Sequence, residues 1–424
     1  MKIGIIADDY TGGTDAASFL VAEGLSCIQV SGPQSERGCF ETDAIVVSLK
    51  SRTEPVEKAV KDSVDAYRWL KKQGCELIQF KYCSTFDSTE VGNIGPVTDA
   101  LLIEAGLSST IVMPSLPVNG REVFYGNLYV KGQPLNESGM KNHPLTPMRD
   151  ANLMRLMEKQ GTGRAELIDY HLVEQGKDEI RLAFETLSGS GIKYIVLDAF
   201  RDEHLFNIGA AFDNYPIITG ASGLSHGIAR AWAQRRNITS TSGGFLPLRG
   251  KSVVISGSCS EQTNRQVNTY QKRAACFAVE VSKLDNIDTY SDEILAWYKT
   301  VSQQPMAPLI SATVDKEQLA KIRAEYSFDV SSRIENLFSL LVKKLWLQGC
   351  RNFICAGGET SGSVTQALNI DTLLVGKLIC PGVPWVKSLE GGIYLALKSG
   401  NFGDDNFFAD AQVYADPGEN DANV

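Results

Sequence analysis

Two adjacent carboxylates, Asp8 and Asp9, follow the short apolar run Ile3 to Ala7 and open the segment Asp8-Asp9-Tyr10-Thr11-Gly12-Gly13-Thr14-Asp15. A carboxylate at the end of a buried strand can take a proton from a ligand hydroxyl as a general base. The same side chain can instead cap the helix that follows; for Asp9 both readings are open, and Asp8 is the second candidate for the base. The glycines read as a Gly/Thr loop that turns tightly into that helix. A second cluster, Lys81-Tyr82-Cys83-Ser84-Thr85-Phe86-Asp87-Ser88-Thr89, packs one cation, one carboxylate and several hydroxyls into a single block. Such a set suits a polyhydroxylated anion, with Lys81 for its carboxylate and Ser84, Thr85, Asp87 and Ser88 for its hydroxyls. Ser48-Leu49-Lys50-Ser51-Arg52 offers Arg52 as a forked carboxylate binder, and Pro117-Val118-Asn119-Gly120-Arg121 offers Arg121 with Asn119 beside it.

The second half of the chain carries glycine-bearing turns of another kind. Gly257-Ser258-Cys259-Ser260 and Gly357-Gly358-Glu359-Thr360-Ser361-Gly362 each stand between a strand pattern and a helix pattern. Backbone N–H groups at such a turn, with a helix N-terminus behind them, favour phosphate. Gly400-Asn401-Phe402-Gly403 is a third loop of this type, which adds Gly403 to the nucleotide candidates.

Three familiar signatures fail on inspection. Gly223-Leu224-Ser225-His226-Gly227 fits a nucleophile elbow, but His226 is the last histidine of the chain, so no base follows the serine. Gly244 and Gly250-Lys251-Ser252 imitate a phosphate loop with the wrong glycine spacing and a strand where the helix should begin. No dinucleotide fingerprint GxGxxG occurs, which removes the main sequence support for a nicotinamide enzyme. No CxxC pair or HExxH run is present, so neither a zinc ribbon nor a disulfide framework is expected.

The elements needed to position these residues can be read from the pattern. Short continuous apolar runs alternate with helical spacing: strands are expected at Ile3–Ala7, 44–49, 78–82, 110–113, 194–199 and 216–219, with helices at 63–72 and 223–234. A second series has strands at 252–256 and 353–356, each followed by a helix. This indicates two α/β domains, each with a mainly parallel sheet flanked by helices. The expected boundaries are 1–236 for a substrate domain, 237–250 for a Ser/Thr/Gly-rich linker, 251–415 for a nucleotide domain and 416–424 for a frayed tail. The net charge of −9 across 424 residues argues against a nucleic-acid or anionic-membrane partner. Nine cysteines without pairing spacing, and no apolar run of spanning length, lead to the expectation of a soluble protein of the reducing cytoplasm.

Taken together, the motifs resemble the four-carbon acid sugar kinase family. The resemblance rests on Asp8 to Gly12, the Lys81 to Thr89 block with Gly92 to Val97, Pro117 to Arg121 and Asn142-His143-Pro144-Leu145-Thr146-Pro147-Met148. It continues through Ser256 to Ser260, Ala356 to Gly362, Pro381-Gly382-Val383-Pro384-Trp385 and Leu397 to Gly403, covering nearly the whole chain in order. Glu90 and Val91 stand where a sister branch, acting on threonate or erythronate, carries an arginine. The resemblance therefore implies transfer of the ATP γ-phosphoryl group to the C4 hydroxyl of 3-oxo-tetronate, with D-threonate or D-erythronate as the alternative acceptor. It implies an active site in the interdomain cleft, with ATP at Ser258, Gly357 to Gly362 and Gly403, and the acid at the Asp pair, Arg52 and the Lys81–Ser88 block. Mg²⁺ is expected with the nucleotide, with Glu359 as a candidate ligand; the other metal ligands and the oligomeric state are left open, a homo-oligomer being compatible. A non-catalytic sensor of sugar acid and nucleotide is the competing reading from another class.

Overall fold

The computed structural model describes residues 2–33, 38–143, 146–238, 244–326 and 328–415. The chain divides into two compact units, residues 1–243 and 244–424. Of the expected linker, 239–243 lies outside the described residues, as does the expected tail 416–424. Residues 247–249 are not free chain: Ala415 N donates to the Pro247 carbonyl at 2.9 Å, and Arg249 N donates to the Ala415 carbonyl at 3.1 Å.

The first unit starts with β1 (Lys2–Ala7), α1 (Tyr10–Ala22), β2 (Cys27–Ser31), β3 (Ala44–Ser48), α2 (Val56–Lys72), β4 (Cys75–Lys81), α3 (Ile94–Ala105) and β5 (Thr110–Met113). A small antiparallel sheet follows, made of β6 (Arg121–Phe124), β7 (Asn127–Val130) and β8 (Gln133–Pro134). Then come α4 (Leu153–Gln160), β9 (Ala165–Ile168), α5 (Tyr170–Glu174), α6 (Lys177–Gly189), β10 (Tyr194–Leu197), α7 (Asp202–Phe212), β11 (Ile217–Gly220) and α8 (Ser222–Arg235). The main sheet runs β2-β3-β1-β4-β11-β5-β10-β9, parallel throughout. Its strands read as unbroken apolar runs, such as Ala-Ile-Val-Val in β3 and Tyr-Ile-Val-Leu in β10, because both sheet faces are buried.

Register decides which strand ends meet. Ala7, the last residue of β1, lies opposite Ser48 of β3 on one side and Lys81 of β4 on the other. Lys81 in turn faces Gly220 of β11, and Gly220 faces Met113 of β5. The residues after five strands therefore form one row at the carboxyl edge, where open α/β sheets bind ligands. Two sequence expectations shift here. The helix expected from residue 63 starts at Val56, and the Gly/Thr stretch expected as a loop is the first turn of α1. Gly12 and Gly13 are there for lack of a side chain, not for a special dihedral: a Cβ on Gly12 would lie 2.1 Å from Asp9 Oδ1, and one on Gly13 2.1 Å from Ser48 Oγ.

The second unit holds β12 (Lys251–Ser256), α9 (Glu261–Tyr270), β13 (Cys276–Ala278), α10 (Ile287–Val301), β14 (Leu309–Ser311), α11 (Lys316–Glu325) and α12 (Val330–Leu347). It continues with β15 (Cys350–Ala356), α13 (Gly358–Ala367), β16 (Thr372–Cys380), β17 (Val383–Ser388), β18 (Tyr394–Lys398) and α14 (Phe407–Asp410). Here the order is β13-β14-β12-β15-β18-β17-β16, parallel from β13 to β18 and antiparallel from β18 to β16. Its core gathers Val254, Ile354, Trp385, Ala396, Phe407 and Phe408 around the central strands. Among the described residues, no helix is long and apolar enough to cross a membrane, and all nine cysteines are free thiols.

Helix α8, whose first residue is Ser222 at the strand-end row, packs backbone to backbone on α7. A Cβ on Gly209 would sit 2.1 Å from the Gly227 carbonyl carbon. Gly209→Ala is expected to destabilise the protein by about 1–3 kcal/mol through overpacking, seen as a lower urea midpoint at constant m. An unchanged midpoint would show that the two helices part without cost.

Candidate functional site

The Asp pair is organised by one guanidinium. Arg52, in the loop after β3, donates from Nε to Asp8 Oδ2 at 2.9 Å and from Nη2 to Asp8 Oδ1 at 2.7 Å. The same Nη2 reaches Asp9 Oδ1 at 2.7 Å, and Nη1 stands 3.9 Å from Asp87 Oδ2. Arg52 was expected to offer its fork to a ligand; in the structure the fork is taken by Asp8. The reason is electrostatic, since two carboxylates side by side in a buried place need a shared cation if both are to be charged. Burial raises the Asp8 pKa above its ordinary value despite Arg52. Burial pushes Asp9 the same way, but Arg52, Lys81 and the hydrogen bonds from Thr11 and Gly12 outweigh it and hold Asp9 below the usual carboxylate range.

Asp9 is also the N-cap of α1. Gly12 N donates to its Oδ1 at 3.1 Å and Thr11 Oγ1 donates to its Oδ2 at 2.9 Å. Capping and ligand contact are thus not exclusive here: the Asp9 side chain keeps 27% of its surface exposed, against 6% for Asp8. Of the pair, Asp9 is the one open to a ligand.

Lys81 ends β4 and is 3% exposed. Its ammonium makes no hydrogen bond or ion pair among the described residues. It lies against the first turn of α1, where a Cβ on Gly12 would come within 2.3 Å of it. Asp15 and Ser222 stand beside it: Ser222 Oγ donates to Asp15 Oδ2 at 2.6 Å, and burial raises the Asp15 pKa to about 6. Arg121, at the start of β6, donates from Nη1 to the Asn119 carbonyl, while its Nε is buried without a partner.

The other first-unit candidates shape the loop more than they reach out of it. Thr85 Oγ1 donates to Asp87 Oδ1 at 2.7 Å. Phe86 is fully buried with φ at 59°, a left-handed conformation held by its packing and by Phe86 N donating to the Cys83 carbonyl at 2.9 Å. Ser88 Oγ donates to Gln160 Oε1 at 3.2 Å, and Gln160 returns hydrogen bonds to the Ser88 and Thr89 carbonyls. Asn93, just before α3, uses its amide to hold the Ser51 and Glu54 carbonyls at 2.7 and 2.9 Å, so it fixes the loop that carries Arg52. Ser84 and Asn119 are half-buried.

In the second unit, three turns lie side by side because Ser256 pairs with Ala356 and Ala356 pairs with Lys398. They interlock closely. A Cβ on Gly257 would be 2.4 Å from Thr360 Oγ1, and one on Gly400 would be 2.4 Å from Ser258 Oγ. The segment 357–362 differs from the loop that was expected: only Gly357, with φ at 124°, precedes the helix, and Gly358 to Gly362 form the first turns of α13. Gly358 and Glu359 are exposed, whereas Thr360 and Ser361 are buried. Gly403, with φ at 75°, packs on Phe407.

A pocket opens beside these turns. Gly257, Cys259, Glu359 and Thr360 line one part of it, and Val281, Val314, Leu319, Ile322, Phe328 and Ile334 line an apolar part, with Asp329 and Glu335 at its edge. Sequence reasoning missed residues 312–335 altogether; the one available signal was the strand end at Ser311, level with Ser256. It also passed over Lys398, which is fully buried. Its ammonium donates to Thr263 Oγ1, the Ser399 carbonyl and the Gly400 carbonyl at 3.1, 2.9 and 3.0 Å. Burial lowers its pKa to about 7. Among the described residues, no group of three or more His, Cys, Asp or Glu side chains is placed to hold a metal ion.

Comparison with known proteins matches these two units separately. A sugar-binding N-terminal domain family matches residues 3–228, and a nucleotide-binding C-terminal domain family matches residues 253–408. A Brucella melitensis 3-oxo-tetronate kinase is 47% identical over 418 residues, 98% of this chain and 96% of its own. A Salmonella typhimurium 3-oxo-tetronate kinase is 47% identical over 97% of this chain and 99% of its own. A solved Salmonella typhimurium structure superposes with a TM-score of 0.91 at 46% identity, covering 97% of this chain and 98% of that one. A Haemophilus influenzae structure does so with 0.83 at 46% identity, covering 96% and 99%.

The Lys398 geometry carries a pH prediction for nucleotide binding by the second unit. Below about pH 7 the ammonium has three hydrogens for three oxygens; above it one is lost and the Gly400 turn is held less firmly. Calorimetric affinity for an ATP analogue is expected to weaken as pH rises through about 7. In Lys398→Met it should be about tenfold lower, the loss of one charged hydrogen-bond donor, and should lack that component. Equal affinity and an equal pH response in the variant would mean that the turn is held without the lysine.

Proposed function

This chain belongs to the 3-oxo-tetronate kinase family, and from that premise we propose that it transfers the γ-phosphoryl group of ATP to the C4 hydroxyl of 3-oxo-tetronate, giving 3-oxo-tetronate 4-phosphate and ADP. The observation that carries the acceptor half of this reading is Lys81, a buried cation with no direct hydrogen bond or ion pair among the described residues, beside the open carboxylate of Asp9. A small acid gives that ammonium a direct ion-pair partner, and its distal hydroxyl is then presented to Asp9.

Phosphoryl transfer asks for position and charge more than for covalent chemistry. Lys81 grips the carboxylate of the acid. Arg52 keeps Asp8 and Asp9 in place and leaves Asp9 ionised. Asp9 accepts a hydrogen bond from the C4 hydroxyl, orients that oxygen toward the γ-phosphorus and takes its proton as the O–P bond forms. In the second unit, the Gly257 and Gly357 amides hold the Ala356 and Lys398 carbonyls, so the first-turn amides of α13, from Gly358 to Thr360, face the phosphates, and the apolar part of the pocket takes the adenine. Ser258 and Gly403 belong to the turns that shape this place. Mg²⁺ that travels with ATP keeps most of its water and needs only one or two carboxylates; Glu359 and Glu335 at the pocket are of the right chemistry. When bound, the ion would neutralise charge on the phosphates.

A coupled ADP-release assay over 3-oxo-tetronate, D-threonate and D-erythronate tests the substrate. Turnover is expected with the first, with phosphorus NMR placing the phosphate on C4. Preference for either of the other acids would overturn the substrate, and binding of acid and nucleotide without ADP release would favour a sensor. Asp9→Asn should lower kcat by about a hundredfold or more, as loss of a general base does, while calorimetric ATP affinity stays unchanged. Near-normal turnover in that variant would remove Asp9 from the role.

A further inference from the structure

Among the buried carboxylates of the first unit that the transfer step leaves unused, Asp15 has an oxygen without a hydrogen-bond partner. Asp15, in the second turn of α1, is 5% exposed. Ser222 Oγ holds its Oδ2 at 2.6 Å, but its Oδ1 is buried and meets no donor. Two other polar atoms nearby are in the same state, Arg121 Nε and Ser115 Oγ. Buried polar atoms are paired in the large majority of cases, so a group of unpaired ones calls for a missing partner.

These orphans come together for a reason visible in the register. Gly220, at the end of β11, lies between Lys81 of β4 and Met113 of β5. The start of α8 touches the chain after β5 so closely that a Cβ on Gly223 would be 2.2 Å from the Ser115 carbonyl oxygen. Asp15 reaches this corner from α1 through Ser222, and its charge is coupled to Lys81, Asp9 and Arg121. The corner thus offers two cations, one hydroxyl and one acceptor oxygen. That complement fits a carboxylate with a hydroxyl on the adjacent carbon, where the cations take the carboxylate and Asp15 accepts from the hydroxyl.

We infer that Asp15 is a specificity-determining residue whose free Oδ1 reads the C2 hydroxyl of the four-carbon acid, next to the carboxylate held by Lys81 and Arg121. This rests on the reading of the first unit as the acid site, though not on turnover. It also makes acid binding depend on pH. Ionised Asp15 is the stronger acceptor and protonation weakens it, so its contribution is full above about pH 6 and falls as pH drops through that value. The charged groups facing it are Lys81, Asp9 and Arg121. His226 and Arg230 of α8 are engaged by Glu23, farther along the helix pair.

Calorimetric titration of 3-oxo-tetronate and of its 2-deoxy analogue, 4-hydroxy-3-oxobutanoate, tests this without requiring catalysis. The native protein should bind the hydroxylated acid tighter by about tenfold or more, as sites built to hydrogen-bond a hydroxyl do. Asp15→Leu, which removes both oxygens at similar volume, should bind both acids alike and lose the weakening near pH 6. Ser222→Ala leaves the carboxylate in place but removes a hydrogen bond that lowers its pKa, so the binding midpoint should move to higher pH. Equal affinity of the native protein for the two acids, or discrimination retained in Asp15→Leu, would overturn the inference, as would an unmoved midpoint in Ser222→Ala. Acid binding with this pattern but no ADP release would instead strike the kinase reading and leave the inference standing.

Discussion

Two neighbouring carboxylates at the end of a buried strand would repel each other if nothing lay between them. Arg52 lies there, two of its nitrogens on Asp8 and one of these shared with Asp9. The rest of the acid site follows from that bridge. Because Arg52 bridges the pair directly, Lys81 is left near Asp9 with no hydrogen bond or ion pair of its own among the described residues, and Asp9 stays charged with part of its surface open. Removing one partner of such a buried charge cluster typically costs about 3–5 kcal/mol, so the loop that carries Arg52 has to be rigid. Asn93 supplies that rigidity through the Ser51 and Glu54 carbonyls.

The second unit solves the complementary problem with backbone instead of charge. Three parallel strands end level with one another, and each continues into a turn where glycine leaves room for the next. A Cβ at Gly257 or Gly400 would strike a neighbouring hydroxyl, so the glycines are steric requirements of the stacking. Beneath them, the Lys398 ammonium ties the Gly400 carbonyl to Thr263, with no ion pair to a carboxylate among the described residues.

Much of this was legible in the sequence, and the limits have physical causes. Apolar runs that stop at Asp8, Lys81, Gly257 and Gly357 announce strand ends, because a strand buried on both faces must be apolar along its length. Which ends meet depends on strand order and register, which local pattern does not encode. Hence Arg52 was recognised as a forked binder, but its engagement with Asp8 was not foreseen. Asp15 falls in a motif that was noticed, yet its inward aim is set by the packing of α1 against α8. Gly12 and Gly13 read as a loop because glycine disfavours helices; they stay helical since Asp9 and Ser48 occupy the space a side chain would need. The pocket wall at residues 312–335 has no local signature, since apolar side chains on a polar helix look the same whether they meet a core or a ligand.

The central claim is that a buried, unpartnered Lys81 beside an Arg52-bridged Asp pair is the grip for a small acid. Calorimetric binding of 3-oxo-tetronate to Lys81→Met, beside the native protein, addresses it most directly. Loss of a charged hydrogen bond to the ligand predicts affinity weakened by about tenfold or more, with ATP-analogue binding unchanged. An acid affinity equal to that of the native protein would contradict the account.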